Sequence, residues 1–215
     1  MSLIGSHMAM MAGGAAGLTY DTWNPADKGT LIVLSGGNLG LSNSLTGTGT
    51  WNSVRSLHAV STGKNYAESK DNDATGYGFG GAFGVCTSAA SLTAELGSDV
   101  NGWGFYGKRQ DTLHPLMEHS GAITNFNTMA NGILGSIMQV AYDAAAGKVW
   151  FGQNGVWAGG GDPATGTTPT FTVTPGTALF LGGAAQNVRM TSVLNTGATA
   201  FGQTVPSGFT GRWAI

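Results

Sequence analysis

Charge is what this sequence has least of. Lys, Arg, Asp and Glu together make up 9% of 215 residues, against roughly 25% in an ordinary soluble domain. The nine basic residues are scattered, and Lys108-Arg109 is the one adjacent pair. Phosphate binding needs a basic stripe, so nucleic acid is excluded as the main partner. Electrostatic attachment to an anionic membrane surface is excluded on the same ground. No apolar stretch approaches the ~20 residues that span a bilayer, so membrane insertion is not expected. A single cysteine, Cys86, excludes an internal disulfide. It lies in the strand-like GAFGVCTS with no cation near it in the sequence, where a buried, inert thiol is expected. The fold therefore does not rely on an oxidising compartment.

A basic n-region before an apolar core is also missing from the first residues, which do not read as a signal peptide. MSLIGSHM reads instead as a vector-derived scar, and Ala9 to Gly17 as a small-residue linker. The expected organisation is residues 1–17 set apart and one domain over 18–215. His7 falls in the scar and is not counted among functional histidines.

What is present is glycine and apolar residues. There are 37 glycines in 215 residues, where ~7% is usual. Hydrophobic residues reach 41%, enough for a core. A disordered chain pairs low hydrophobicity with high net charge, and this chain, at −2, does neither. Its surface must be built from Gly, Ser, Thr, Asn and Ala.

Gly135 to Pro169 is the most informative stretch. Ile137 to Asp143 is an apolar run without helix caps. Ala144 to Gly147 makes a turn ending in a residue that tolerates positive φ. Lys148 to Gly152 places Val149 and Phe151 on one face and Trp150 on the other. Gln153-Asn154-Gly155 then carries the Asn-Gly hairpin signal. The result is an antiparallel meander. Further strands are expected at Thr30 to Ser35, Trp51 to Val60, Lys64 to Lys70, Tyr77 to Cys86, Trp103 to Gly107, Leu113 to Met117, Ala178 to Leu181 and Val188 to Leu194. Ser88 to Leu96 is the best helix candidate, with Leu92 and Leu96 four apart. The fold class expected is all-β: an antiparallel β-sandwich or barrel with at most one short helix.

Several segments, in order, resemble a SPRY domain of the bacteriophage and prophage type. They are Thr22 to Gly29, Trp51 to Ser56, Thr62 to Ser69, Gly84 to Gly107, Gly135 to Pro169 and Gly197 to Phe209, spanning most of residues 20–210. The resemblance implies a concanavalin A-like sandwich of two antiparallel sheets, a jelly-roll. It also implies variable binding loops at one end and a recognition role in place of catalysis. In viral members the domain often sits on tail or fibre proteins. The sequence departs from the family pattern at Asn65 and Ala67, where aromatics usually flank Tyr66. It departs again at Leu181, where the usual residue is proline, and over Lys108 to Asn131.

The motifs that could carry chemistry fall short. Gly76, Gly78 and Gly81 match a dinucleotide spacing, but the chain continues as a strand where a helix is needed. His114, Glu118 and His119 imitate an inverted zinc-protease motif one residue too long, broken by Pro115. Asp99 to Gly102 and Asp71 to Asp73 hold too few oxygen ligands for a calcium loop, and Asx turns satisfy both. His58 reads as a hydrogen-bonded or surface residue. Glycoside hydrolysis needs paired carboxylates, and Glu68, Glu95 and Glu118 form no such cluster. No G-x-S-x-G elbow exists. No cofactor, metal or catalytic residue is expected.

Binding remains. Trp103, Phe105, Tyr106 and Arg109, with Asn154 and Trp157 beside the second hairpin, are the candidate ligand-binding residues, because aromatics and Arg dominate recognition surfaces. For Trp103 a place in the core is the stronger competitor; for Trp157 the two readings balance. The expected role is a non-catalytic recognition module of a phage virion protein, made in the host cytoplasm and carried on the particle surface. Its partner would be a host surface glycan or protein receptor. The alternatives are a structural virion protein that meets other virion proteins or forms a homo-oligomer, and a glycan-cleaving enzyme.

Overall fold

Alternating apolar and polar residues, cut by glycine-bearing turns, set the architecture. A computed structural model describes residues 20–47, 49–72, 81–107 and 114–213. In chain order the strands are β1 Trp23–Lys28, β2 Ile32–Ser35, β3 Gly40–Asn43, β4 Asn52–Val60, β5 Lys64–Asp71, β6 Ala82–Cys86, β7 Gly102–Tyr106 and β8 Leu116–His119. They continue with β9 Ala122–Asn125, β10 Ile137–Asp143, β11 Lys148–Gln153, β12 Val156–Trp157, β13 Phe171–Thr172, β14 Leu179–Ala185 and β15 Ser192–Asn195. A 3-10 turn at Ala158–Gly160 is the one helical element among the described residues.

Two antiparallel sheets result. The first runs β1-β4-β14-β6-β7-β8-β9. The second runs β12-β11-β10-β5-β15-β3-β2, with β13 also paired to β11. Their facing surfaces make the main core. Trp23, Val54, Phe83, Val85, Phe105 and Leu181 come from one sheet, and Ile32, Leu41, Met138, Val140, Tyr142 and Phe151 from the other. The all-β sandwich is thus as the sequence implied.

Part of each outer face is also covered by the chain's own irregular segments. Residues 87–101 lie over the first sheet, where Leu96 and Ala90 join Cys86, Tyr106, Leu116 and Ala184 in a second apolar cluster. The C-terminal strap, residues 196–213, lies over the second sheet. There Phe201, Val205 and Phe209 pack on Tyr66, Ala141 and Trp150. The strap ends with Trp213 fully buried in the main core.

The segment expected as a helix, Ser88 to Leu96, is a run of turns. Its backbone is claimed by side chains: Ala89 N–H donates to Thr87 Oγ1 and Ser91 N–H to Asp99 Oδ2. Such local bonds compete with helical ones. Leu96, meanwhile, is seated over Gly182, where an added Cβ would come within 2.8 Å of Leu96 Cδ1.

Boundaries shift elsewhere. The strand expected over Leu113 to Met117 is β8, displaced toward the C-terminus, and the one over Val188 to Leu194 is the shorter β15. Strands β1, β3, β9 and β13 carry no periodic signal and lie outside the strands the sequence predicts. Residues 1–17, Gly76 and Gly78, and the first part of Tyr77 to Cys86 lie outside the described residues.

Candidate functional site

The end of the sandwich around the Asn154–Gly155 turn has the clearest combination of rigidity and exposure. Asn154 and Gly155 sit at φ of 51° and 81°, the left-handed pair that a tight hairpin requires. Asn154 also fastens the turn to the start of β10. Its N–H donates to Ile137 O at 2.9 Å. Its Oδ1 accepts from Ile137 N–H at 2.8 Å, and its Nδ2 donates to Ser136 Oγ at 3.3 Å.

The neighbouring loop, residues 126–136, is pinned at several points. Gly132 N–H donates to Gly107 O and Gly135 N–H to Asp71 O. Gln153 Nε2 donates to Ala130 O at 2.8 Å. Ile133 N–H donates to Ser136 Oγ at 2.9 Å. With the backbone held, two side chains are left outside: Ile133 is 67% exposed and Leu134 52%. Val156, just past the turn, is 53% exposed. Large apolar side chains grouped on a fixed backbone mark an interaction surface more often than a scattered exposed residue does.

Beneath the turn runs a buried chain of hydrogen bonds. Gly155 N–H donates to Gln139 Oε1 at 2.7 Å, and Gln139 Nε2 donates to the Tyr66 hydroxyl at 3.0 Å. Tyr66 donates to Glu68 Oε1 at 2.7 Å. Glu68 then accepts the N–H groups of Gly202 and Gln203, each at 2.8 Å. Burial, with the adjacent Glu68 carboxylate, pushes the Tyr66 hydroxyl well above its ordinary value, so it stays a neutral donor. The chain links the turn to the C-terminal strap.

The aromatic candidates fall in different places. Phe105 and Tyr106 are fully buried. Phe105 packs in the main core 5.5 Å from Phe151, and Tyr106 lies beneath the 87–101 cover, its hydroxyl bonded to Leu96 O. Their rings serve packing and have no face left for a ligand. Trp103 is half-buried, stacked flat between His119 at 4.5 Å and Phe171 at 4.9 Å, so both its faces are taken. Trp157 is half-buried on the opposite, outer side of the second sheet, edge-on to Tyr66 at 6.4 Å. Trp103 and Trp157 therefore belong to different layers. Asn154 and Trp157 are brought together at one turn. Arg109 lies outside the described residues.

Ile133, Leu134 and Val156 escaped sequence reasoning because it sought aromatics. The available signal was an apolar pair enclosed by glycines in Asn131-Gly132-Ile133-Leu134-Gly135.

Several of the described carboxylates and histidines are held by the fold's own hydrogen bonds. Glu68 is committed to the strap, and Glu118 is buried. On the β8 strand Glu118 and His119 are successive and face opposite ways. His114 and His119 Nδ1 pair with the carbonyls of Met129 and Gly102. Exposed His58 pairs through Nδ1 with buried Asp21 Oδ1 at 3.1 Å. Burial raises the Asp21 carboxyl above its usual value, with the His58 bonds opposing. Arg55 forks onto Asp27 at 2.7 and 2.9 Å and donates to Ala90 O, fixing the cover of the first sheet.

No protein-family model matches the sequence, and no curated protein matches it. Solved structures do resemble the fold. The crystal structure of the TRIM65 PSpry domain is 16% identical, with a TM-score of 0.55 over 81% of this chain and 91% of that one. The SPRY domain of human HERC1 is 14% identical, with a TM-score of 0.56 over 80% of this chain and 96% of that one. The chain thus has the SPRY fold.

Proposed function

We propose that this SPRY-fold chain is a non-catalytic recognition module of a phage or prophage virion protein, exposed on the particle. It binds a host surface glycan or protein with the loop end built around Asn154. One observation carries the reading: Ile133, Leu134 and Val156 stand exposed on a backbone pinned by hydrogen bonds to Gly107, Asp71, Gln153 and Asn154. A rigid scaffold presenting fixed loops binds without a large ordering cost. Trp157 supplies an aromatic ring beside the same turn, which the Asn154 side chain holds in place. Absence of catalysis agrees with Glu68 spending both oxygens on the fold.

The test is a screen of the protein against bacterial surface polysaccharides and host envelope proteins. Saturable binding without product release supports the proposal. Shortened polysaccharide product in the same samples contradicts it and favours a glycan-cleaving enzyme.

A further inference from the structure

Strand β9 is the last strand of the first sheet, and all four of its residues, Ala122, Ile123, Thr124 and Asn125, are exposed. The Ser120–Gly121 turn, at φ of 54° and 71°, closes a tight hairpin from β8. Its register pairs His119 with Ala122 and Met117 with Thr124. Phe126 N–H continues the ladder to Pro115 O at 2.9 Å. Antiparallel ladder bonds alternate from residue to residue. Ala122, Thr124 and Phe126 therefore turn their backbone groups toward β8, and Ile123 and Asn125 turn theirs to the free edge. Among the described residues none pairs with those groups.

Sheet edges are usually guarded by Lys, Pro, an inward charge or a bulge. This edge carries no such guard: its residues are uncharged and its pairing with β8 is regular. It is also self-complementary. With Thr124 opposite the partner's Thr124 about a two-fold axis, the free N–H and C=O of Ile123 meet those of the partner's Asn125, and the reverse. Thr then faces Thr, Ile faces Asn, and no like charges meet.

We propose that the β9 edge is a homodimerisation site, where two copies pair antiparallel and join their first sheets. A foreign peptide added to an edge is selected by pockets for its alternate side chains. The β9 residues are all exposed and form no such pocket, whereas a second copy brings the matching register itself. The seam is short, so association is weak and rises with concentration.

The test is sedimentation across a concentration series for the wild type, Asn125→Pro and Ile123→Lys. Proline removes an N–H that faces the edge and leaves the β8 ladder intact; lysine restores the missing guard. The expected result is a monomer–dimer equilibrium with Kd tighter than about 1 mM, abolished in both variants. A wild type still monomeric at about 1 mM, or a dimer that survives both substitutions, overturns the proposal. Hydrogen exchange on the wild type gives a check free of variants. Protection at the Ile123 and Asn125 amides must rise with protein concentration, and protection that stays constant overturns the inference equally.

Discussion

Glu68 spends its two oxygens on the Gly202 and Gln203 N–H groups and the Tyr66 hydroxyl, all inside the second sheet's outer layer. Removing it strands those donors in a dry place. Glu68→Ala should cost about 3 kcal/mol in urea unfolding; a loss under about 1 kcal/mol would contradict the account. Cys86 is buried, and desolvation pushes its thiol up to about 12. It should be unreactive toward a disulfide reagent in the native state and titrate fully once the protein is unfolded. Asp21 has its folded-state value raised above the ordinary 3.8. The folded state therefore holds that proton more tightly than the unfolded chain. The stability it contributes is intact below 3.8 and is lost as pH rises through the raised value. Asp21→Asn should flatten that part of the stability–pH profile; an unchanged slope would rule the assignment out. The burial of Cys86 was legible in the sequence. The roles of Asp21 and Glu68 were not, because the partners of their carboxyl groups, His58 for Asp21 and Gly202 and Gln203 for Glu68, lie far along the chain.

At the scale of elements, glycine lets the covering layers approach. A Cβ on Gly104 would run into Leu96 O, a backbone atom that cannot turn aside. Gly104→Ala should lift the 87–101 cover and destabilise the domain by about 1–3 kcal/mol. Faster proteolysis within 87–101 is the accompanying readout, and wild-type protection would count against this packing. Long apolar strands bounded by turn signals were legible. Ile137–Asp143 is β10 to the residue, and Val149, Trp150 and Phe151 divide between the faces as the pattern required. Gly40–Asn43 and Ala122–Asn125 were not legible, since four residues give too little periodicity and only the neighbouring strand holds them extended. The false helix has the same origin in reverse. Leu92 and Leu96 have helical spacing, yet tertiary contacts use them separately: Leu92 O accepts from Ser53 N–H, and Leu96 seats over Gly182.

For the whole molecule, the sandwich is partly wrapped on each outer face by its own chain, and its pinned end loops and bare β9 edge stand clear of those covers. The sequence conveyed the sandwich through its turns and the resemblance. It conveyed the candidate site only in part. Asn154 and Trp157 were visible beside an Asn-Gly signal, but an aromatic ring reads alike whether it packs inward, as Phe105 does, or outward. Exposure of Ile133 and Leu134 depends on the loop being tied to Gly107, Asp71 and Gln153, all remote or on other strands. The measurement that tests the recognition role most directly is a binding isotherm, on intact host cells, for the wild type and an Ile133→Asp, Leu134→Asp double variant. Both side chains are exposed, so the variant keeps its fold and its melting temperature. The account predicts saturable wild-type binding, weakened at least about tenfold in the variant, or about 1.4 kcal/mol. Equal binding by the two proteins would contradict it.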